Sequence, residues 1–455
     1  MKRFVAIIFL LFISVSKAFA GTFVVDDALT EIENVTIITM DGNQISRDMT
    51  VSARDGKIYA LYNTAEFKSF CESDEKAICL KAATVIDGTG KYLIPGLAEM
   101  HGHIPNATDI DQNLEDLLFL YVSQGVTTVR GMLGAPGQFE LRDKINSGEV
   151  LGPTLYLGGP SFNGNSVSSP NQARRMVRGQ VEEGWDFLKI HPGMTLAEYD
   201  AMADEAARLG IPWGGHVPED VGLARALEAG QRTIDHLDGF DIFVNGVTKP
   251  LDQGRLDQAV ELMLTAGAYV VPTNHLWETL LGLPEKDDLE AMDELKYLTP
   301  AARRQNRSRY SGQSTGRDLV EARHNAANRR QILKSLSGAG AGILLGSDAP
   351  QLYSVPGFSL VREMEAMAEA GLTPEAILRS GTATAGEFFS NKDKFGMIAP
   401  GHRADLILLD ANPLENISNM RSIAGVMVRG IWLSRAEIEA RLSGIEERNK
   451  GGSFF

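Results

Sequence analysis

Between about residues 94 and 390 the apolar positions fall in short runs, most of them followed by a helical pattern. The runs centre on Leu93-Ile94-Pro95-Gly96-Leu97, Val126-Thr127-Thr128-Val129, Thr154-Leu155-Tyr156-Leu157, Phe187-Leu188-Lys189-Ile190, Ile211-Pro212-Trp213, Thr233-Ile234, Tyr269-Val270-Val271 and Gly342-Ile343-Leu344-Leu345. Strands buried on both faces read as short, nearly continuous apolar runs, and eight of them are what a (β/α)8 barrel requires. One helix between them is legible in detail: residues 196 to 209 place apolar groups three to four apart, with Gly210 as the stop. The flanks differ in texture. Residues 21 to about 93 alternate, as in Val35-Thr36-Ile37-Ile38-Thr39, and carry Asp-Gly pairs at 41–42, 55–56 and 87–88, which signal hairpins and a small antiparallel β domain. Strand texture returns after residue 397 in Ala404-Asp405-Leu406-Ile407-Leu408-Leu409 and Gly425-Val426-Met427-Val428, most simply completing that domain. The expected architecture is α/β: a (β/α)8 TIM barrel, residues 94–390, inserted into a composite β-sandwich made of residues 21–93 and 391–455. About seventy residues separate the seventh and eighth strands, which predicts an extra helical excursion over the barrel mouth. Its arginines, Arg303, Arg304, Arg307, Arg309 and Arg317, either clamp an acidic group or form a solvated helix face.

Residues 1–20 stand outside this pattern. Met1-Lys2-Arg3 is basic, Val5 to Val15 is almost wholly apolar, and Ala18-Phe19-Ala20 is an A-x-A cleavage site, which together read as a secretory signal peptide. The apolar run is shorter than the ~20 residues that span a bilayer, so no stable membrane anchor is expected. The mature protein is expected in the periplasm or secreted. An oxidising compartment favours a disulfide between Cys71 and Cys79, with two free thiols as the alternative. Across 455 residues, 44% hydrophobic and 23% charged, the composition excludes disorder and a collagen-like fibre. The net charge of −15 becomes −18 once Lys2, Arg3 and Lys17 are removed, which repels phosphate backbones and excludes a nucleic-acid partner.

The chemistry gathers at strand ends. Six of the eight histidines, His101, His103, His191, His216, His236 and His275, fall at or just beyond the end of a predicted barrel strand, and Asp348 ends the eighth. Residues two apart on a strand share a face, so His101 and His103 both point into the barrel mouth, where such barrels keep their active sites. Imidazoles converging with a carboxylate suit a borderline-soft divalent ion such as zinc. Lys189 and His191 share a face in the same way. Lys189 is either a structural cation paired with a carboxylate, or a carbamylated bridge between two metal ions. The chain is otherwise short of anionic ligands for two dications. Arg130, ending the second strand, either binds a substrate carboxylate or forms an ion pair inside the rim. His324 and His402 lie in a polar helix and in the β return and carry no expected chemistry.

Residues 93 to 104, Leu-Ile-Pro-Gly-Leu-Ala-Glu-Met-His-Gly-His-Ile, resemble the signature of the metal-dependent amidohydrolase superfamily. The segment from Gly396 to Asp410 is similar to its closing β-sandwich element. Lys189 together with Gly214-Gly215-His216-Val217-Pro218 resembles the imidazolonepropionase-like branch, which includes dipeptidases acting on amide bonds. The resemblance implies two divalent ions, zinc foremost: His101, His103 and Asp348 on one, His216 and His236 on the other, and a carbamylated Lys189 between them. It further implies a bridging hydroxide as nucleophile with Asp348 as proton shuttle. His275 is expected as a substrate or oxyanion contact, the alternative being a pocket-lining residue. His191 contacts substrate, replaces a ligand or supports Lys189. The expected substrate is a small dipeptide, N-acyl amino acid or cyclic amide, and a homo-oligomer fits family habit. Hydrolysis of an ester, lactone or phosphoester by the same centre is the alternative, and an inactive metal-binding protein is a third reading that no missing ligand supports.

Overall fold

The computed structural model describes residues 22–42, 45–73, 77–107 and 112–450; the expected signal peptide lies outside the described residues. Three strands open the chain: β1 (Thr22–Ile38), β2 (Ile45–Arg54) and β3 (Lys57–Asn63) form an antiparallel meander. Asp55 and Gly56 join the last two, with φ of 50° and 74°, the left-handed pair that suits a tight hairpin turn. The next two strands correct the expectation of a purely antiparallel domain. β4 (Ile78–Asp87) and β5 (Tyr92–Pro95) both run parallel to β1, one after the other, with Glu33 opposite Asp87 and Thr36 opposite Tyr92. Asp87-Gly88 therefore interrupts a line of strand and reverses nothing. The helix Thr64–Ser73 supplies the longer connection that a parallel return needs. Cys71 of that helix is disulfide-bonded to Cys79 of β4.

At Gly96 the chain leaves this sheet. β6 (Leu97–Gly102), β7 (Val126–Gly131) and β8 (Thr154–Leu157) form one parallel sheet. β9 (Leu188–Ile190), β10 (Trp213–Gly215), β11 (Thr233–Asp235), β12 (Tyr269–Val271) and β13 (Gly342–Ile343) form another. Parallel bridges join Gly158 to Phe187 and Phe162 to Ile190 between the two sheets. On the far side Met100 N donates to Leu345 O at 2.8 Å. The apolar run Leu93–Leu97 is divided between β5 and β6. A Cβ at Gly96 would fall 2.3 Å from Thr127 Oγ1, so this joint has no room for a larger residue.

The helix Leu196–Leu209 occupies the residues its spacing predicts, with a Thr195/Glu198 capping box and Gly210 as a left-handed C-cap at φ 73°. The excursion before β13 is helical over Asn274–Leu280, Lys286–Glu290, Pro300–Ser314 and Leu319–Gly338. Its Leu276, Leu289 and Tyr310 pack in one core with Val426, Val428 and Ile445 from the C-terminal segment. Arg307 is bound to Glu290 at the surface, 2.8 Å away. β14 (Leu406–Leu409) pairs antiparallel with β5, followed by β15 (Ile423–Val428) and β16 (Ile431–Ser434), so both ends of the chain contribute to one mixed sheet. Among the described residues no helix is long and apolar enough to cross a membrane.

Candidate metal centre

β6 hydrogen-bonds alongside the segment after β13: Asp348 N donates to His101 O at 2.7 Å and His103 N to Ala349 O at 2.8 Å. That register brings side chains some 245 positions apart together. His103 Nε2 lies 2.6 Å from Asp348 Oδ1, His101 Nε2 3.6 Å from the same oxygen, and His236 Nε2 3.7 Å from Asp348 Oδ2. The His236 ring is 4.5 Å from those of both His101 and His216, centre to centre. Lys189 Nζ lies 3.3 Å from His101 Nε2, and among the described residues it has no carboxylate oxygen within 4 Å. Gly215 makes space for it, since a Cβ there would sit 3.0 Å from Lys189 Cδ and 2.5 Å from Ile190 O. His191 stacks on His216 at 5.1 Å, and its Nδ1 is buried without a partner.

Outer groups set the rings. His216 Nδ1 is 2.5 Å from Asp238 Oδ2 and His236 Nδ1 is 2.8 Å from Thr273 Oγ1. Asp235 Oδ2 lies 2.8 Å from His101 Nδ1, off the hydrogen-bond axis. In His216 and His236 a partner at Nδ1 leaves Nε2 free to ligate, the usual arrangement around a bound metal. Burial, reinforced by Lys189, holds His101 well below the usual imidazole range, and burial with His101 does the same for His236, so both are neutral and have a lone pair to offer. Burial alone would raise Asp348, but His101, His103 and Lys189 outweigh it and keep the carboxylate ionised well below its ordinary range. Lys189 is pushed down to about 8 by burial, against the pull of Asp235 and Asp348. His191 is pushed down to about 3, by burial first and then by Lys189 and His216. One carboxylate oxygen set and the nitrogens of His101 and His236 lie within 4.8 Å of one another. The donor set therefore fits a divalent ion.

Several contributors carry no sequence signal of their own. Arg329, on the helix Leu319–Gly338, donates to His236 O at 2.7 Å, Pro272 O at 2.9 Å and Asn274 Oδ1 at 3.2 Å. Its guanidinium lies 4.9 Å over the Trp277 ring, and Trp277 Nε1 donates to the same His236 carbonyl at 2.8 Å. Glu99, fully buried and pushed up to about 8 by that burial, accepts from His101 N and Ser347 N. Asp235 could have been found from period two, since Thr233 and Asp235 share the inward face of β11.

Two expected site residues lie elsewhere. The His275 ring lines a separate cavity of about 730 Å³ with Glu294, Arg362 and Arg421, and is pushed down to about 4 by burial and then by Arg362. Arg130 reaches across the interior below the cluster, donating to Met100 O at 3.2 Å and Thr233 Oγ1 at 2.9 Å, and among the described residues it makes no ion pair within 4 Å.

Imidazoles gathered around the Asp348 carboxylate at the carboxyl ends of parallel strands are the donor set of a metal-dependent enzyme. Comparison with known proteins gives the family. Residues 92–433 match the Amidohydrolase family, and the chain belongs to it, as a hydrolase acting on carbon–nitrogen bonds. An imidazolonepropionase from Streptomyces griseus subsp. griseus is 25% identical over 368 residues, which cover 77% of this chain and 85% of that protein. The solved structure of a bottromycin amidohydrolase superposes with a TM-score of 0.69 at 22% identity, covering 92% of this chain and 91% of the other. A Xaa-Pro dipeptidase with methionine in its active site gives a TM-score of 0.63 at 21% identity, covering 89% of this chain and 100% of that one. At these identities the structural likenesses speak for the fold.

Proposed function

We propose that this protein hydrolyses the amide bond of a small substrate, a dipeptide, an N-acyl amino acid or a cyclic amide, at a centre of two divalent ions, zinc foremost. The observation that carries the reading is the meeting of His101, His103 and His236 at the Asp348 carboxylate, with buried Lys189 beside them and no carboxylate oxygen within 4 Å of it among the described residues. An unpaired buried ammonium is costly. A lysine carbamylated by carbon dioxide would remove that cost and supply the anionic ligand the cluster lacks. His101, His103 and Asp348 would hold one ion, His216 and His236 the other, and carbamylated Lys189 would lie between them. When bound, such ions supply a nucleophilic oxygen at neutral pH and polarise the scissile carbonyl. Asp348 accepts a proton from the attacking water and delivers it to the leaving nitrogen, a task suited to a carboxylate within hydrogen-bond reach of the reacting atoms. His191, neutral and open at Nδ1, faces the same space and contacts the substrate.

Around this centre the two parallel sheets are read as arcs of one closed (β/α)8 barrel, residues 94–390, set within a β domain of residues 21–93 and 391–455. The bridges from Gly158 and Phe162 support closure. Residues 1–20 are read as a cleaved signal peptide, and the Cys71–Cys79 bond is in keeping with an oxidising compartment.

The test is elemental analysis of protein purified without chelator, beside Lys189→Ala and Asp348→Ala, followed by matched amide and ester substrates. Nearly two equivalents of a divalent ion, falling sharply in Lys189→Ala, with amide turnover lost in Asp348→Ala, is the expected result. One equivalent indifferent to Lys189, or ester turnover with no amide cleavage, would overturn it.

A further inference from the structure

The strands have a second end, and it is occupied by a cavity of about 490 Å³. Phe187, Trp213 and Arg232 lie at the amino ends of β9, β10 and β11, so this cavity is at the opposite pole from the imidazole cluster, which follows those same strands. Its walls are aromatic: Trp185, Phe187, Trp213, Phe388 and Phe389.

Its charges do not balance. Asp186 is already paired with Lys392 at 2.5 Å and Arg142 at 3.1 Å, and Glu387 faces Arg379 at 3.7 Å. Two guanidiniums remain. Arg130 is 1% exposed, and its Nε has no hydrogen-bond partner. Arg232, exposed at the rim, likewise makes no ion pair among the described residues. The two flank one ring, with Arg130 5.5 Å and Arg232 5.8 Å from the centre of Phe388, and Arg130 also lies 4.6 Å over Phe187. Aromatic faces attract a cation but bring no negative charge; Asp235 acts on Arg130 without forming an ion pair among the described residues, and Arg232 at the rim has no acidic partner within 4 Å among them. Room for this arrangement is kept by Gly214, where a Cβ would fall 3.0 Å from Arg130 Nη2 and 2.2 Å from Thr233 Oγ1.

We propose that this cavity is a binding site for a small aryl carboxylate, distinct from the hydrolytic centre. The planar body lies among the tryptophan and phenylalanine rings, and the carboxylate meets Arg232 at the rim, with the buried positive charge of Arg130 behind the ring wall. Arginine suits this because its planar fork matches a carboxylate and stacks on rings. A purely inorganic anion would leave the aromatic walls unused, and a neutral arene would leave Arg232 without an acidic partner.

The metal-loaded protein, titrated calorimetrically with benzoate, benzamide and acetate, tests the site. Benzoate is expected to bind saturably to one site and to quench the fluorescence of Trp185 and Trp213, with benzamide and acetate each weaker by about tenfold or more. Arg232→Gln changes an exposed residue and leaves folding intact; it is expected to weaken benzoate about tenfold, and Phe388→Leu to weaken it as well. Benzoate affinity unchanged in Arg232→Gln would place the ligand elsewhere and overturn the proposal. Equal binding of benzamide, or no saturable binding of benzoate, would do the same.

Discussion

His236, Thr273 and Asp348 all hold left-handed backbone conformations, with φ of 61°, 47° and 61°, although none is glycine. Such conformations cost on the order of 1–3 kcal/mol each and persist where the surroundings over-determine them. At His236 the surroundings are identifiable: Arg329 and Trp277 both donate to its carbonyl, and Arg329 ties that loop to Pro272 and Asn274. Arg329→Met retains the volume and loses these bonds. The variant is expected to bind its divalent ion about 10–100-fold more weakly, as loss of an outer partner commonly does. Competition against a chromophoric chelator measures this, and an unchanged affinity would mean that the loop holds its shape without the arginine.

The helix Phe358–Glu369 carries a second buried acid far from the strand ends in sequence. Glu363 accepts from Asn274 N at 2.9 Å and His275 N at 2.7 Å, and burial pushes it up to about 8. Its neutral form is favoured in the folded chain, so its contribution is full below the ordinary carboxylate pKa and is lost as pH rises toward 8. The melting temperature of the parent minus that of Glu363→Gln is therefore expected to shrink from pH 5 to pH 8. A constant difference across that range would show that the acid does not titrate there. Neither this contact nor the Arg329 clamp was legible in the sequence, because each joins a helix face to a loop with no spacing rule between them. What was legible followed local rules. The helix Leu196–Leu209 has its cap and stop within itself, and His101 and His103 are set by period two. The Asp87-Gly88 pair misled because the same dipeptide serves a reversal and an interruption, and only the pairing partner, β1, decides between them. For His275, position beyond a strand end does not fix which side of the following helix the ring faces.

For the molecule as a whole, the centre is a source of stability as well as chemistry. A ligand that binds only the folded chain adds about 2.7 kcal/mol at a hundredfold over its dissociation constant. Protein stripped by chelator is expected to melt several degrees lower and to recover when the divalent ion is returned, as calorimetry would show. Indifference to stripping would mean that the buried imidazoles are held fully by their outer partners. One joint has a consequence for how the molecule is made. β5 pairs with β14 and leads through a single glycine into β6, which carries His101. The ribosome finishes β6 some three hundred residues before it reaches β14. The β14 edge of β5 therefore stays unpaired until the last tenth of the chain is made, so the sheet from which the ligand strand departs is completed only near the end of synthesis.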